Sequence, residues 1–225
     1  MSSARAGTLT VLACHCVWDP SRDTIYTDRP EFARDRPVYE AQIFYARRHL
    51  GFRSELDPLL VISGGPTRAE RACSESRSCL EWAGRLGIAF PAERVALEEY
   101  ALTSIENVLL GLYVYHQRRG VWPERIDAIS WEFKRARFRQ ALAAIGGWEP
   151  LGQSWPALEY FPVGDLPAGE RAEAMRAEQS YLDSLEQGLA AYYADPRTAA
   201  AIARRDVHGS RAGARERYRG YPLPF

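Results

Sequence analysis

The chain has 225 residues, of which 46% are hydrophobic and 26% are charged, and its 29 basic side chains balance 29 acidic ones. This apolar fraction excludes a disordered chain, and zero net charge provides no global field that would favour nucleic acid or an anionic membrane surface. No apolar run approaches the ~18 residues of a membrane span, so we expect a soluble cytoplasmic protein without nucleic-acid or membrane partners.

The sequence alternates short β-branched runs with longer amphipathic ones. In chain order, the pattern predicts a strand over 8–14, a helix over 37–50, a strand over 58–63, a helix over 69–86, a strand over 94–97, a helix over 103–119, a strand over 125–131, a helix over 134–145, a strand over 158–163 and a helical region over 168–193 that is interrupted at Gly188. The long polar loop over 17–36 could be a lid over a site, and the arginine-rich end over 195–225 is expected either to wrap the domain or to be partly disordered.

Strands that alternate with helices through short connections form a parallel sheet with helices on both faces. We therefore predict an α/β fold, a Rossmann-like three-layer sandwich with a mainly parallel five-stranded sheet. Residues 1–165 would form this domain, and residues 166–225 would be a helical C-terminal extension and arginine-rich tail packed on it. In such sheets ligands bind outside the carboxyl ends of the strands, which makes the residues after each strand the candidates for a site.

The turn after the second predicted strand carries two glycines and an arginine. Glycines let a backbone approach a ligand closely, and N–H groups at the start of a following helix favour an anion. The alternative is an ordinary tight turn between a strand and a helix. The candidate binding residues in this turn are Ser63, Gly64, Gly65, Thr67 and Arg68.

The third predicted strand ends in Glu98 and Glu99, which would point to opposite faces. Glu99 is a candidate proton-transfer residue, and a salt-bridged surface pair is the alternative. The next helix begins at a capping box, and its first turn supplies two further candidate binding residues, Ser104 and Asn107.

Basic side chains begin the helix that follows the fourth predicted strand. The positive end of a helix dipole disfavours cations, so an anionic ligand or acidic neighbours must explain them. The candidate binding residues here are Glu132, Lys134, Arg135 and Arg137. Lys134 is the single lysine of the chain. A GC-rich coding bias explains why lysine is scarce, but not why the one that is present lies in this position.

His15 follows the first predicted strand, where an imidazole could act as acid or base near neutral pH or serve only a structural role. Cys14 and Cys16 flank it, and we expect all four cysteines to be reduced structural thiols. No metal-ligand spacing is present in the sequence. His15 and Glu99 are thus candidate catalytic residues, with no metal. Glu75 is added as a third by the resemblance of its sequence block to a known family.

Several short blocks of the sequence, taken in chain order, resemble the SanA/YdcF-like family, whose domain has no known function. They look closest to the stand-alone, fungal-type branch of that family. The resemblance covers roughly residues 8–140. The blocks that carry it are Cys14-His15, Ser63-Gly64-Gly65-x-Thr67-Arg68, Ser74-Glu75 with Ser78, Glu98-Glu99-Tyr100-Ala101, Ser104 with Asn107, and Phe133-Lys134-Arg135-x-Arg137-Phe138.

The resemblance implies a Rossmann-like fold with its crevice at these motifs, and S-adenosylmethionine as a candidate cofactor. The chain departs from the branch at four positions: Trp131 for histidine, Glu132 for aspartate, Thr103 for an acidic residue and Glu106 for glutamine. His15 is consequently the only imidazole in the motifs, so a mechanism that needs two histidines does not transfer.

Three functions remain open from the sequence. The first is a hydrolase or transferase acting on a small anionic substrate that bears a phosphate or nucleotide. The second is an S-adenosylmethionine-binding protein, with Glu98 or Glu99 on the ribose hydroxyls. The third is a non-catalytic module that binds a small molecule. The substrate, the reaction and the oligomeric state are not determined at this level.

Overall fold

The computed structural model describes residues 7–27, 35–150, 155 and 158–225. Its strands are β1 (Thr8–Ala13), β2 (Cys16–Asp19), β3 (Thr24–Thr27), β4 (Leu59–Ser63), β5 (Val95–Glu98), β6 (Arg125–Ser130) and β7 (Leu158–Pro162). Its helices are α1 (Arg36–Phe52), α2 (Glu75–Arg85), α3 (Ser104–Arg119), α4 (Arg135–Gly146), α5 (Ala168–Leu185), α6 (Leu189–Ala194), α7 (Pro196–Arg205) and α8 (Ser210–Arg217).

Five strands form one parallel sheet in the order β5-β4-β1-β6-β7. Alternate side chains of the central strands enter two separate cores. Val11 and Val61 face α3, α4 and the C-terminal helices, whereas Leu12 and Ile62 face α1 and α2. The parallel sheet with helices on both faces confirms the predicted α/β three-layer fold with C-terminal helices. Every residue of β1 and β4 is buried, as expected for central strands covered on both faces.

Helix boundaries follow local capping chemistry. The side chain of Thr103 accepts from the backbone N–H of Glu106 at the start of α3, as the capping box predicts. Gly188 has a φ of 97° between α5 and α6, which is the predicted interruption. Helix α2, however, begins only at Glu75, because Ser74 caps it by accepting from Arg77 N–H. The prediction of a helix from residue 69 was wrong, and a loop follows the glycine turn instead.

One other local prediction needs correction. The segment after β1 was expected to be a polar loop, but β2 and β3 pair as an antiparallel hairpin. Trp18 from this hairpin stacks on Trp82 of α2 with ring centroids 6.1 Å apart, so an apolar contact holds the hairpin against the domain. The rest of the predicted lid, residues 28–34, lies outside the described residues.

The C-terminal helices pack against the same core as the sheet and α3. Tyr192 and Tyr218 are buried in the same core as α3 and α4. Polar contacts join the extension to the carboxyl edge of the sheet: Arg205 donates to Leu102 O at 2.8 Å, and Arg211 pairs with Glu106 at 3.1 Å. These contacts bring residues from the end of the sequence to the edge where the site residues were predicted.

Candidate functional site

A polar cavity with about 350 Å³ of empty space lies at the carboxyl edge of the sheet. It is lined by the segment after β1, by the loop between β4 and α2, by the start of α3, and by residues of α4 and α7. Its lining residues are Cys14, His15, Thr67, Glu75, Ala101, Leu102, Thr103, Ser104, Asn107, Lys134, Arg137 and Arg205. Seven of the sequence-predicted residues are therefore brought together: His15, Thr67, Glu75, Ser104, Asn107, Lys134 and Arg137.

The charged side chains of this lining are mostly basic. Lys134, Arg137 and Arg205 are basic, and Glu75 is acidic. The first turn of α3 adds the positive end of a 16-residue helix dipole at Thr103 and Ser104. The excess of positive charge makes this cavity suited to an anion.

His15 is held at both ring nitrogens. Lys134 Nζ lies 3.1 Å from Nδ1, and Ser130 Oγ lies 3.0 Å from Nε2. Because an ammonium group can only donate, Nδ1 accepts, and the neutral ring carries its proton on Nε2 and donates to Ser130. A protonated ring would place two cations 3.1 Å apart, so this geometry favours neutral His15 as the residue that orients Lys134.

Glu75 is the carboxylate of the cavity and is itself buried. It accepts from Thr67 Oγ1 at 2.5 Å and from the guanidinium of Arg68 at 3.4 Å. Arg68 is only 8% exposed, lies behind Glu75 and also donates to His15 O at 3.4 Å. Arg68 therefore positions Glu75 and does not itself line the cavity.

The basic run after β6 divides between two roles. Arg135 makes a bidentate contact with Glu132, with a shortest distance of 2.7 Å, and this contact lowers the pKa of the Glu132 carboxyl. Neither residue lines the cavity. An acidic neighbour, which was the alternative to an anionic ligand, therefore accounts for Arg135. Arg137 lines the cavity while it pairs with Glu178 of α5 and stacks over Tyr181 at 4.4 Å.

The two glycines of the turn after β4 serve chain packing. Gly64 N–H donates to Glu98 O, and Gly65 N–H donates to Ala101 O at 2.7 Å. A Cβ on Gly65 would lie 3.0 Å from Ala101 O. Ser63, which closes β4, contacts Glu98 and Asn107 behind the cavity. The tight-turn alternative thus describes these glycines, and their N–H groups are engaged by the backbone.

Glu98 and Glu99, at and just after the end of β5, have very different surroundings. Glu99 accepts a bidentate contact from Arg77 at 2.9 and 2.8 Å and lies outside the cavity lining. Glu98 is completely buried and accepts from the backbone N–H groups of Tyr100 and Ala101. Neither carboxylate is presented to a ribose, so no observation here favours S-adenosylmethionine.

Cys14 lines the cavity but is a poor nucleophile. Its hydrogen bond with Cys79 and its burial raise the pKa of the Cys14 thiol well above the usual value. The thiolate is the reactive form of cysteine, so a thiol held in this state is inert. Among the described residues, no group of three or more His, Cys, Asp or Glu side chains is arranged to hold a metal ion.

Sequence reasoning missed Arg205 and Ser130. Ser130 ends β6, and the rule that sites lie at the carboxyl ends of strands could have identified it. Arg205 lies on α7 in an arginine-rich segment, and no local pattern separates it from its neighbours. Only the folding of the extension onto the sheet brings its side chain to the cavity.

Comparison of the chain with protein-family models, with curated proteins and with solved structures gave no match. Within the described parts of the chain, no helix combines the length and the apolar character needed to cross a membrane. The resemblance to the SanA/YdcF-like family and the cytoplasmic location stay predictions, and a function must be argued from the cavity.

Proposed function

We propose that this chain binds a small phosphate-bearing anion in the cavity at the carboxyl edge of the sheet. The observation that carries the proposal is the convergence of Lys134, Arg137 and Arg205 on one small polar cavity beside the first turn of α3. Helix N-termini and clustered basic side chains are the two commonest ways in which proteins hold phosphate groups.

The size of the cavity supports a small ligand. Its empty space of about 350 Å³ includes open solvent, and the centre of a water-sized sphere has only about 30 Å³ of room within it, which is enough for a small polar group. A phosphate group with a small organic moiety fits this space better than a dinucleotide does. The lining is polar and charged, so binding would depend on electrostatic contacts more than on apolar burial.

We further propose that the bound molecule is a substrate and that the reaction is a hydrolysis or a group transfer. Glu75 is the side chain that would accept the proton of an attacking water or hydroxyl, because it lines the cavity and Arg68 and Thr67 fix its position. Lys134, oriented by His15, would stabilise negative charge on the transferred group.

A non-catalytic binding module is the second candidate. It is favoured by the engagement of both ring nitrogens of His15, which leaves Glu75 as the one lining side chain suited to proton transfer.

A measurement of turnover separates the enzyme from the binding module. An enzyme should convert at least one compound in a panel of small phosphomonoesters and phosphodiesters, and Glu75→Gln should lower that rate at least 100-fold while phosphate still binds.

Calorimetry with inorganic phosphate at about pH 7 tests the binding itself. We expect Lys134→Ala and Arg205→Ala each to weaken binding about tenfold or more, since each removes a charged hydrogen bond. Arg204→Ala is the matched control, because Arg204 precedes Arg205 on α7 but is exposed and does not line the cavity. Absence of phosphate binding, or equal effects of Arg204→Ala and Arg205→Ala, would contradict the proposal.

A further inference from the structure

Ser63 lies between two hydrogen-bond acceptors. Its Oγ is 2.8 Å from Glu98 Oε2 and also 2.8 Å from Asn107 Oδ1. A serine hydroxyl carries a single proton and cannot donate to both atoms at once. All three side chains are buried, so an acceptor left without a donor here would cost free energy. The group therefore needs one more hydrogen-bond donor than Ser63 supplies.

Two arrangements supply that donor. In the first, Glu98 is protonated and donates to Ser63, which donates to Asn107 Oδ1, so the Asn107 Nδ2 group is left for the cavity. In the second, Glu98 is ionised and accepts from Ser63, and the Asn107 amide is turned over so that Nδ2 donates to Ser63. The two ends of an amide have nearly the same shape, so the turn needs little movement of its neighbours.

Asn107 links this group to the cavity, whose lining it joins. The first arrangement presents an N–H donor to a ligand, and the second presents a carbonyl oxygen. We propose that Glu98 is a positioning residue that acts through Ser63 to select which end of the Asn107 amide faces the cavity, and that anion binding is thereby coupled to uptake of a proton. This inference rests on the proposed function of the cavity.

Both arrangements are accessible near neutral pH. Burial raises the pKa of Glu98 to about 7, against the lowering effect of its hydrogen bonds from Tyr100 N–H, Ser63 and Ala101 N–H. The titratable groups that face Glu98 are Glu106 of α3, which raises this pKa further, and Tyr218 after α8, whose hydroxyl lies 3.3 Å from Oε1. From β4, the uncharged Ser63 faces it.

The sign of the coupling follows from the geometry. Below about pH 7 Glu98 is protonated, Asn107 presents its N–H donor, and an anion gains a hydrogen bond. Above that pH, Asn107 presents an oxygen, and the anion loses the hydrogen bond and meets a partial negative charge. Hydrogen bonds to charged groups are strong enough that we expect binding to weaken about tenfold across this change.

Sulfate is the probe for the test, because it does not change its own charge in this range. Its dissociation constant should be measured by calorimetry from about pH 5.5 to about pH 8.5 for the wild type, Ser63→Ala and Asn107→Ala. We expect the wild-type constant to rise about tenfold and both variants to lose most of that rise. Ser76→Ala is the matched control: Ser76 is equally buried, its hydroxyl contacts only Ser74, and the rise should be retained.

The outcomes are distinguishable. Ser63→Ala leaves the charges of Glu98 and His15 in place, so an unchanged rise in that variant would mean that charge alone causes it and would overturn the inference. A wild-type constant that does not change with pH would overturn it as well. If sulfate binds at no pH, the proposed function fails before the coupling is tested. If Ser63→Ala does not fold, an unchanged rise of the dissociation constant in Asn107→Ala would overturn the inference in the same way.

Discussion

The single lysine of this chain contacts the single histidine of the cavity. An ammonium group is a compact donor, and Lys134 Nζ reaches His15 Nδ1 at 3.1 Å while it remains part of the cavity lining. A guanidinium group is planar and larger, and it distributes its charge over several N–H groups. The arginines nearby hold carboxylates, as Arg135 holds Glu132. The compact shape of the Lys134 ammonium group, as well as its charge, therefore suits this position.

We expect Lys134→Arg to weaken phosphate binding about tenfold although the charge is kept, because the planar group cannot contact His15 Nδ1 and a ligand with the same geometry. Calorimetry at about pH 7 measures the change. Arg139→Lys, at an exposed position on α4, is the control and should bind as the wild type does. Equal affinity of Lys134→Arg and the wild type would show that Lys134 is only a positive charge.

At the scale of elements, the turn after β4 positions the start of α2 and thereby Glu75. Backbone N–H groups of Glu75 and Ser76 donate to Gly65 O and Gly64 O at 3.0 and 3.1 Å. Gly65 approaches the segment after β5 too closely for a side chain, and a Cβ on Gly64 would lie 2.9 Å from the Glu75 side chain. A sequence pattern cannot separate this packing role from ligand contact, because both require glycine for the same lack of a Cβ.

Gly65→Ala should destabilise the protein by about 1–3 kcal/mol, since its Cβ would lie 3.0 Å from Ala101 O and Tyr100 C in backbone that is itself hydrogen-bonded. Urea denaturation measures the free energy of unfolding. The control is Gly84→Ala in α2, where no atom lies within 4 Å of the added Cβ, and helix propensity predicts a gain of up to about 1 kcal/mol. A neutral Gly65→Ala would refute the packing role.

At the scale of the whole molecule, the C-terminal extension packs against the carboxyl edge of the sheet, where the cavity lies. Arg205 enters the cavity lining, His208 contacts Arg68 O at 2.9 Å, and Arg211 pairs with Glu106, which is only 1% exposed. Arg211 also lies 4.1 Å over the ring of Phe225. The extension therefore contributes both to the stability of the domain and to the charge of the cavity.

Arg211→Ala should lower the free energy of unfolding by about 3 kcal/mol, because it removes the ion-pair partner of a buried carboxylate. Chemical denaturation of the full chain gives the value. Arg215→Ala, at an exposed position of the same helix, should change it by less than about 0.5 kcal/mol. Adding Glu106→Gln to Arg211→Ala should recover part of the loss, whereas no recovery would contradict a charge-based cause.

The sequence by itself determined the alternation of strands and helices, the parallel sheet and the edge at which polar residues collect. These features depend on hydrophobic period, capping residues and turn chemistry, which are local. Six of the seven predicted cavity residues follow the end of a strand or lie in the first turn of the next helix, because the ends of parallel strands must meet at one edge. Glu75 came from the family resemblance.

Only the tertiary structure decided which charges reach the cavity. Arg135 and Arg137 look alike in sequence, yet Arg135 pairs with Glu132 three residues away and Arg137 enters the cavity beside Glu178 from α5. Arg205 joins them from about 70 residues further along the chain. Charge pairing depends on distances between side chains that are far apart in sequence, and those distances exist only once the helices have packed.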